Sequence, residues 1–185
     1  MATEIGDEYY NYWKLDHQPV GLVNRHSPSD YPDWATQTYN QLKETARVRL
    51  TASVRYDATI RTLNVDIHST AFEDINGKLQ VWLIEDSITA FQYQPDGTNN
   101  KEYVHNHVFR DAVNGKWGTD FSITVGETQE QTFTYTIPDD KLWTATDPVP
   151  ANDVPKYWVP EHMHVVVFVY TEGGVEQVVA VPIVN

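Results

Sequence analysis

Histidine, carboxylate and arginine side chains crowd three short stretches of this chain: Glu85-Asp86, the run Tyr103-Val104-His105-Asn106-His107-Val108-Phe109-Arg110-Asp111 followed by Trp117, and His162-x-His164. A histidine pair spaced by one residue on a strand presents both imidazoles on one face, and neutral imidazole is a common transition-metal ligand. His105, His107, His162 and His164 are therefore the candidate metal ligands, and two such strands side by side would make a four-histidine patch. The competing structural reading has these rings hydrogen-bonded at a rim to backbone, to Glu85 or to Asp86. Arg110 cannot be buried unpaired without large cost, so Glu85 or Asp86 is its expected partner unless its head reaches water. Arg110, Trp117 and the His105-His107 pair are expected to hold the fold together. On that reading Arg110→Ala or His107→Ala lowers the melting temperature by several degrees.

Several chemistries are set aside by composition and spacing. The chain has no cysteine, which removes thiolate catalysis, disulfides and Cys-x-x-Cys redox chemistry. With 26 acidic against 13 basic residues in 185, the formal charge is -13, which repels phosphate backbones, so nucleic acid is not an expected partner. His105-Asn106-His107 spells the name of a nuclease motif, but that motif needs a ββα-metal arrangement and a surface that attracts phosphate. A Gly-x-Ser-x-Gly elbow and a Gly-rich phosphate loop are both missing from the sequence. Glu85 and Asp86 are adjacent on a strand, point to opposite faces, and cannot flank one glycosidic bond. No cofactor is expected, and no catalytic set is complete.

Among the elements that must carry these residues, Val48, Leu50, Ala52, Val54 and Tyr56 alternate with polar neighbours, the signature of a half-buried antiparallel strand. Similar runs follow at about 61–72, 78–86, 103–110, 119–125, 130–138, 163–171 and 175–183, the last two joined by Gly173-Gly174. About eight strands without intervening helices predict an all-β domain over 47–185, an immunoglobulin-like antiparallel sandwich, with a closed barrel as the alternative. Residues 1–46 lack this period, and the spacing of Trp34, Ala35, Thr38, Tyr39 and Leu42 behind Asp30 and Pro32 predicts a helix near 32–45. This partly helical segment is expected to pack on the outside of the sandwich.

Two loops hold the surplus residues. Gln94 to Asn100 reads as a hairpin tip around Pro95-Asp96-Gly97, with Asp96, Thr98, Asn100 and Glu102 as a weak calcium alternative. The stretch from Asp139 to about Glu161 places Trp143, Tyr157 and Trp158 among four prolines, flat apolar faces suited to stacking on a sugar or gripping a peptide. These three are the candidate ligand-binding residues. The competing reading folds them back to plug one end of the sandwich. As loop residues, they lead to the expectation that Trp158→Ala leaves the melting temperature nearly unchanged.

Leu83-Ile84-Glu85-Asp86 with Gln92, the run Tyr103 to Arg110, Trp117-Gly118 and the Val165 to Tyr170 strand together resemble the C-terminal region of the 28-kilodalton outer membrane protein family of Gram-negative anaerobes. The resemblance covers most of 47–185. It implies a lipoprotein-like precursor at the cell outer membrane or cell surface, with a thioredoxin-like domain ahead of a β-sandwich, and it carries over no catalytic residues. Gly6 to Tyr12 and Gln18-Pro19-Val20-Gly21-Leu22-Val23-Asn24-Arg25 look like the closing part of that thioredoxin-like domain. Met1-Ala2-Thr3-Glu4 reads as an expression boundary, with any signal or lipid anchor upstream, so a membrane partner is expected only through such an anchor. The function this implies is a non-catalytic binding, adhesion or structural module, its ligand an unidentified protein, peptide or glycan. A carbohydrate-binding module is one alternative. The other is a metal-dependent enzyme, since His105-x-His107 with Asp111 partly resembles the first metal motif of cupins, although aspartate stands where glutamate is usual and the second motif is missing.

Overall fold

The computed structural model describes residues 3–141 and 158–184. The chain opens with helix α1 (Glu4–Tyr12), pairs β1 (Val20–Gly21) with β2 (Ser29–Asp30), and continues into helix α2 (Tyr31–Gln41). The second helix falls where the spacing predicts one, with Asp30 at its N-cap and Pro32 in its first turn. The first helix departs from expectation, because its nine residues are too few and too polar for a periodic signal. Its start is held locally: Thr3 Oγ1 accepts the Gly6 N–H at 3.0 Å, and Glu4 and Asp7 place negative charge on the first turn.

From Val48 the alternating runs form strands in chain order: β3 (Val48–Asp57), β4 (Thr62–Ala71), β5 (Ile75–Glu85), β6 (Ile88–Tyr93), β7 (Asn99–His105), β8 (Val108–Ala112), β9 (Thr119–Ile123), β10 (Thr128–Thr136), β11 (Met163–Thr171) and β12 (Gly174–Pro182). Three strands pair antiparallel in the order β10-β4-β3, and β12-β11-β5 form a second antiparallel sheet. The free edge of β5 is shared, β9 pairing with Ile75 to Leu79 and β8 with Trp82 to Glu85. Among the described residues the two sheets share no ladder, so the arrangement is an all-β antiparallel sandwich and not a closed barrel.

Alternation fills the interior. Leu63, Val65, Ile67 and Ala71 of β4 face Leu79, Val81 and Leu83 of β5 and Val165, Val167 and Val169 of β11, with Phe121 and Ile123 closing one end. Each such side chain contributes roughly 1.5–3 kcal/mol by leaving water.

One expected strand is corrected. The run 103–110 is not continuous, because Asn106 and His107 leave the ladder between β7 and β8. His107 takes φ +57° and Ser87, between β5 and β6, takes φ +60°. The two bends are stapled together: Asp86 Oδ1 accepts the His107 N–H at 2.6 Å, and Asn106 Oδ1 accepts the Ser87 N–H at 2.9 Å. β6 and β7 thus project as a separate hairpin, a pairing for which the sequence analysis had no strand at 88–93.

The outer face of the five-stranded sheet is covered by the N-terminal segment. Tyr9 of α1 sits among Trp82, Phe109 and Trp117, with ring centroids 5.6, 5.6 and 5.2 Å away. Its hydroxyl donates to the Lys116 carbonyl and accepts from Trp82 Nε1 at 3.2 Å. Glu8 pairs with Lys116. Among the described residues no helix is long and apolar enough to cross a membrane.

Candidate ligand-binding cleft

The residues singled out by type and spacing fall into two groups. Glu85 and Arg110 form a buried ion pair, Nε to Oε2 2.8 Å, with side chains 2% and 4% exposed. The second carboxylate oxygen of Glu85 accepts the Val159 N–H at 3.1 Å. Burial pushes the Glu85 carboxyl above the usual carboxylate range, with the Arg110 charge acting against it. A bulge between Leu83 and Ile84 lets β8 turn Phe109 outward toward Trp82 while Arg110 is buried. Next to it, Asp111 Oδ2 accepts from the Tyr135 hydroxyl at 2.5 Å, a bond between the two sheets, and burial followed by that bond raises the Tyr135 phenol far above its ordinary value. Trp117 joins the aromatic cluster over the outer face, and its carbonyl accepts from the Tyr170 hydroxyl at 2.7 Å.

The histidines do not share a ladder. β11, which carries His164, pairs with β5 and β12, whereas β7, which ends at His105, pairs with β6. His164 Nδ1 lies 3.7 Å from Asp86 Oδ2, His162 is exposed in the turn before β11, and His105 stacks edge-on against Tyr103 at 4.8 Å. The His107 ring is exposed and its backbone makes the bond to Asp86. Among the described residues no three histidine, aspartate or glutamate side chains converge as a metal site. The 94–100 tip is a turn in which Asp96 Oδ1 accepts from both Thr98 N–H and Oγ1–H, at 2.9 and 2.7 Å.

Trp143 and Tyr157 lie outside the described residues. Trp158 is 5% exposed and belongs to the sandwich core, so it plugs the end of the sandwich and its flat face is not offered to a ligand. This corrects the expectation that it is a dispensable loop side chain.

The concave feature with binding character lies instead between the N-terminal segment and the outer sheet face. A cleft of about 470 Å³ is floored by Trp82 and Phe168, with Val166 and Val178 beside them. The register explains the floor: Val166 is the cross-strand neighbour of Trp82, and Phe168 that of Val178. Trp13, Leu22 and Val23 form one wall, and Thr38 and Gln41 of α2 with Leu42 at its C-cap another.

Arg25 enters this cleft. Asn24 and Arg25 take φ +56° and +60°, a left-handed backbone that costs non-glycine residues about 1–2 kcal/mol each. Contacts hold it there. Asn24 donates to Gln41 Oε1 at 2.6 Å and accepts the Val175 N–H at 3.0 Å, tying α2 to the start of β12. His26 Nε2 contacts the Gly173 carbonyl at 3.0 Å. The Arg25 guanidinium lies 4.0 Å from the Tyr170 ring centroid and 5.0 Å from that of Trp13. Its Nη1 is buried without a hydrogen-bond partner among the described residues. Burial lowers its pKa, with the nearby phenols acting the other way. An apolar, aromatic-walled cleft with a buried guanidinium donor unmatched among the described residues is suited to holding an amphipathic molecule.

Sequence reasoning passed over Arg25, Tyr9 and Trp13. Their signal was weak, an aromatic-rich polar stretch without a period, and only its aromatic density marked a packing role.

Comparisons bear on the whole chain. A family model described as outer membrane protein Omp28 matches residues 6–147. Comparison with curated proteins finds no match. Among solved structures, a mutant β-glucosidase from Listeria innocua in complex with laminaribiose is similar at 16% identity, covering 72% of this chain and 15% of that one, with a TM-score of 0.33. The Trichoderma reesei β-D-glucoside glucohydrolase shows 12% identity, 88% and 24% coverage and a TM-score of 0.32. The Pseudomonas fluorescens alkylpurine DNA glycosylase AlkC, bound to DNA containing an abasic site analogue, shows 11%, 94% and 42%, and a TM-score of 0.32. This chain spans less than half the length of each of these, and likeness at that level carries no functional argument.

Proposed function

Because the chain belongs to the outer membrane protein Omp28 family, we propose that it is a non-catalytic ligand-binding domain of a cell-envelope lipoprotein. Family membership puts it at the cell outer membrane or cell surface. The observation that carries the binding reading is the cleft of about 470 Å³ between α2, Trp13 and the outer sheet face, into which Arg25 projects. Its size lies within the roughly 300–1,000 Å³ of small-molecule sites, and its walls are mostly apolar, as such sites are. The lipid anchor and the thioredoxin-like domain implied ahead of residue 1 belong to the same proposal, and the gene sequence upstream tests them directly.

The cleft is tested with 1-anilinonaphthalene-8-sulfonate, an apolar anion whose emission rises in dry surroundings. One saturable site with energy transfer from tryptophan is expected, since Trp13 and Trp82 line the cleft. Val178→Trp, which fills the space from an exposed strand position, should abolish it without lowering the melting temperature. Undiminished dye binding by that variant would overturn the reading.

A further inference from the structure

Two concavities meet at Trp13 and Arg25. One is the apolar cleft already described. The other, about 710 Å³, is polar and runs past Tyr12, Lys78, Asp120, Tyr170 and Glu172. Arg25 and Trp13 line both. A trough of aromatic and aliphatic side chains therefore opens, past a single guanidinium, into a hydrophilic vestibule.

The charges in that vestibule are not equivalent. Lys78 is engaged by Asp120 at 2.6 Å, whereas Arg25 has no carboxylate partner among the described residues and keeps a buried Nη1 without an acceptor. In a chain of formal charge -13 the unmatched group at the junction is a cation. A buried donor left unpaired is costly, and an anionic oxygen delivered by a ligand removes that cost. The guanidinium fork matches a planar carboxylate. Apart from its aromatic rings and the polar side chains of Asn24, Thr38 and Gln41, the lining is branched aliphatic, Leu22, Val23, Leu42, Val166, Val175 and Val178, which favours a flexible hydrocarbon.

Resting on the cleft reading above, we infer that the occupant is a single-chain amphiphile with a carboxylate head. The chain lies in the apolar trough against Val166, Phe168 and Val178. The head sits at Arg25, facing the polar vestibule. At about 470 Å³ the trough has room for one chain rather than two.

Decanoate, octanoate and the uncharged decanamide, titrated into the full chain and followed by calorimetry and tryptophan emission, test this. Decanoate should bind at one site. Octanoate, two methylenes shorter, should bind about fifteenfold more weakly, and decanamide about tenfold or more weakly, as expected for loss of a charge-assisted bond. Arg25→Leu should bring decanoate down to the level of decanamide and leave decanamide binding in place. Equal binding of decanoate and decanamide to the unmodified protein would overturn the carboxylate assignment while leaving the cleft as a binding site, and needs no variant to fold. Dye binding without binding of either decanoyl compound would overturn the aliphatic occupant. Absence of all binding would remove the cleft reading itself.

Discussion

Arg110→Ala removes one half of a buried pair and leaves the other half in place. With side chains only 2% and 4% exposed and Nε to Oε2 at 2.8 Å, water cannot replace the lost guanidinium without opening the end of the sandwich. Truncating one partner of such a pair costs about 3–5 kcal/mol. For a chain of 185 residues each kcal/mol moves the melting temperature by roughly 2–4 °C, so a fall of about 6–20 °C is expected at neutral pH. The loss depends on pH with a definite sign. Burial raises the Glu85 carboxyl and Arg110 opposes that rise. Without Arg110 the carboxyl rises further, and a carboxyl raised on folding favours the native state at low pH, an advantage lost as pH climbs from the ordinary carboxylate range to the folded value. The variant should therefore lose less at about pH 5 than at about pH 8. Adding Glu85→Gln, which keeps an acceptor for the Val159 N–H, to Arg110→Met should recover most of the stability. Calorimetric melting at both pH values decides. An Arg110→Ala melt within about 2 °C of the unmodified protein, or a double variant less stable than the single one, would refute the argument.

Other positions give sharp outcomes. Trp158→Ala should destabilise by about 3–5 kcal/mol in urea unfolding, since it empties a core position, and a shift near zero would return Trp158 to the loop. His107→Gly should match or exceed the unmodified protein in stability because its φ is +57°, whereas Asp86→Ala should cost about 0.5–1.5 kcal/mol by removing the exposed bond to the His107 N–H; a large loss in the glycine variant would mean that the ring matters after all. Burial pushes the Tyr9 phenol up to about 12 from an ordinary value of 10.0. An acid raised on folding loses its stabilising contribution as pH rises through that interval, so alkaline stability should fall between about pH 10 and about pH 12 and Tyr9→Phe should flatten the fall, read by melting against ultraviolet phenol titration.

The sandwich was legible because one face of most strands is buried and the other wet, and a period of two follows directly from that. Thr62 to Ala71 shows it plainly, with Leu63, Val65 and Ile67 inward. The break at Asn106 and His107 was not legible, since the apolar residues on either side, Val104 and Val108, keep the period across a bend whose cause is a bond to Asp86 from the distant end of β5. The cost of burying charge narrowed Arg110 to Glu85, Asp86 or solvent, and it is the register that selects Glu85. The cleft was illegible for a different reason. Its floor, Trp82, Val166 and Phe168, lies within strands that read simply as hydrophobic, and of its covering parts only the helix with Thr38 and Gln41 left a period, while Trp13 and Leu22 to Arg25 left none. Only the packing of the two makes a concavity, and packing between aperiodic and periodic parts leaves no mark along the sequence.

The covering of the outer sheet face by α1 and the turn around Arg25 bears on how the molecule can be taken apart. Residue 47 is where the sequence pattern changes, yet it is a poor place to cut. A fragment beginning there would turn the contiguous rings of Trp82, Phe109 and Phe168 toward water, and Trp117 with them, the kind of exposed apolar patch that marks an interaction or aggregation surface. Such a fragment would keep every strand from β3 to β12 and still behave badly in solution, sticking to itself or to whatever apolar surface it met.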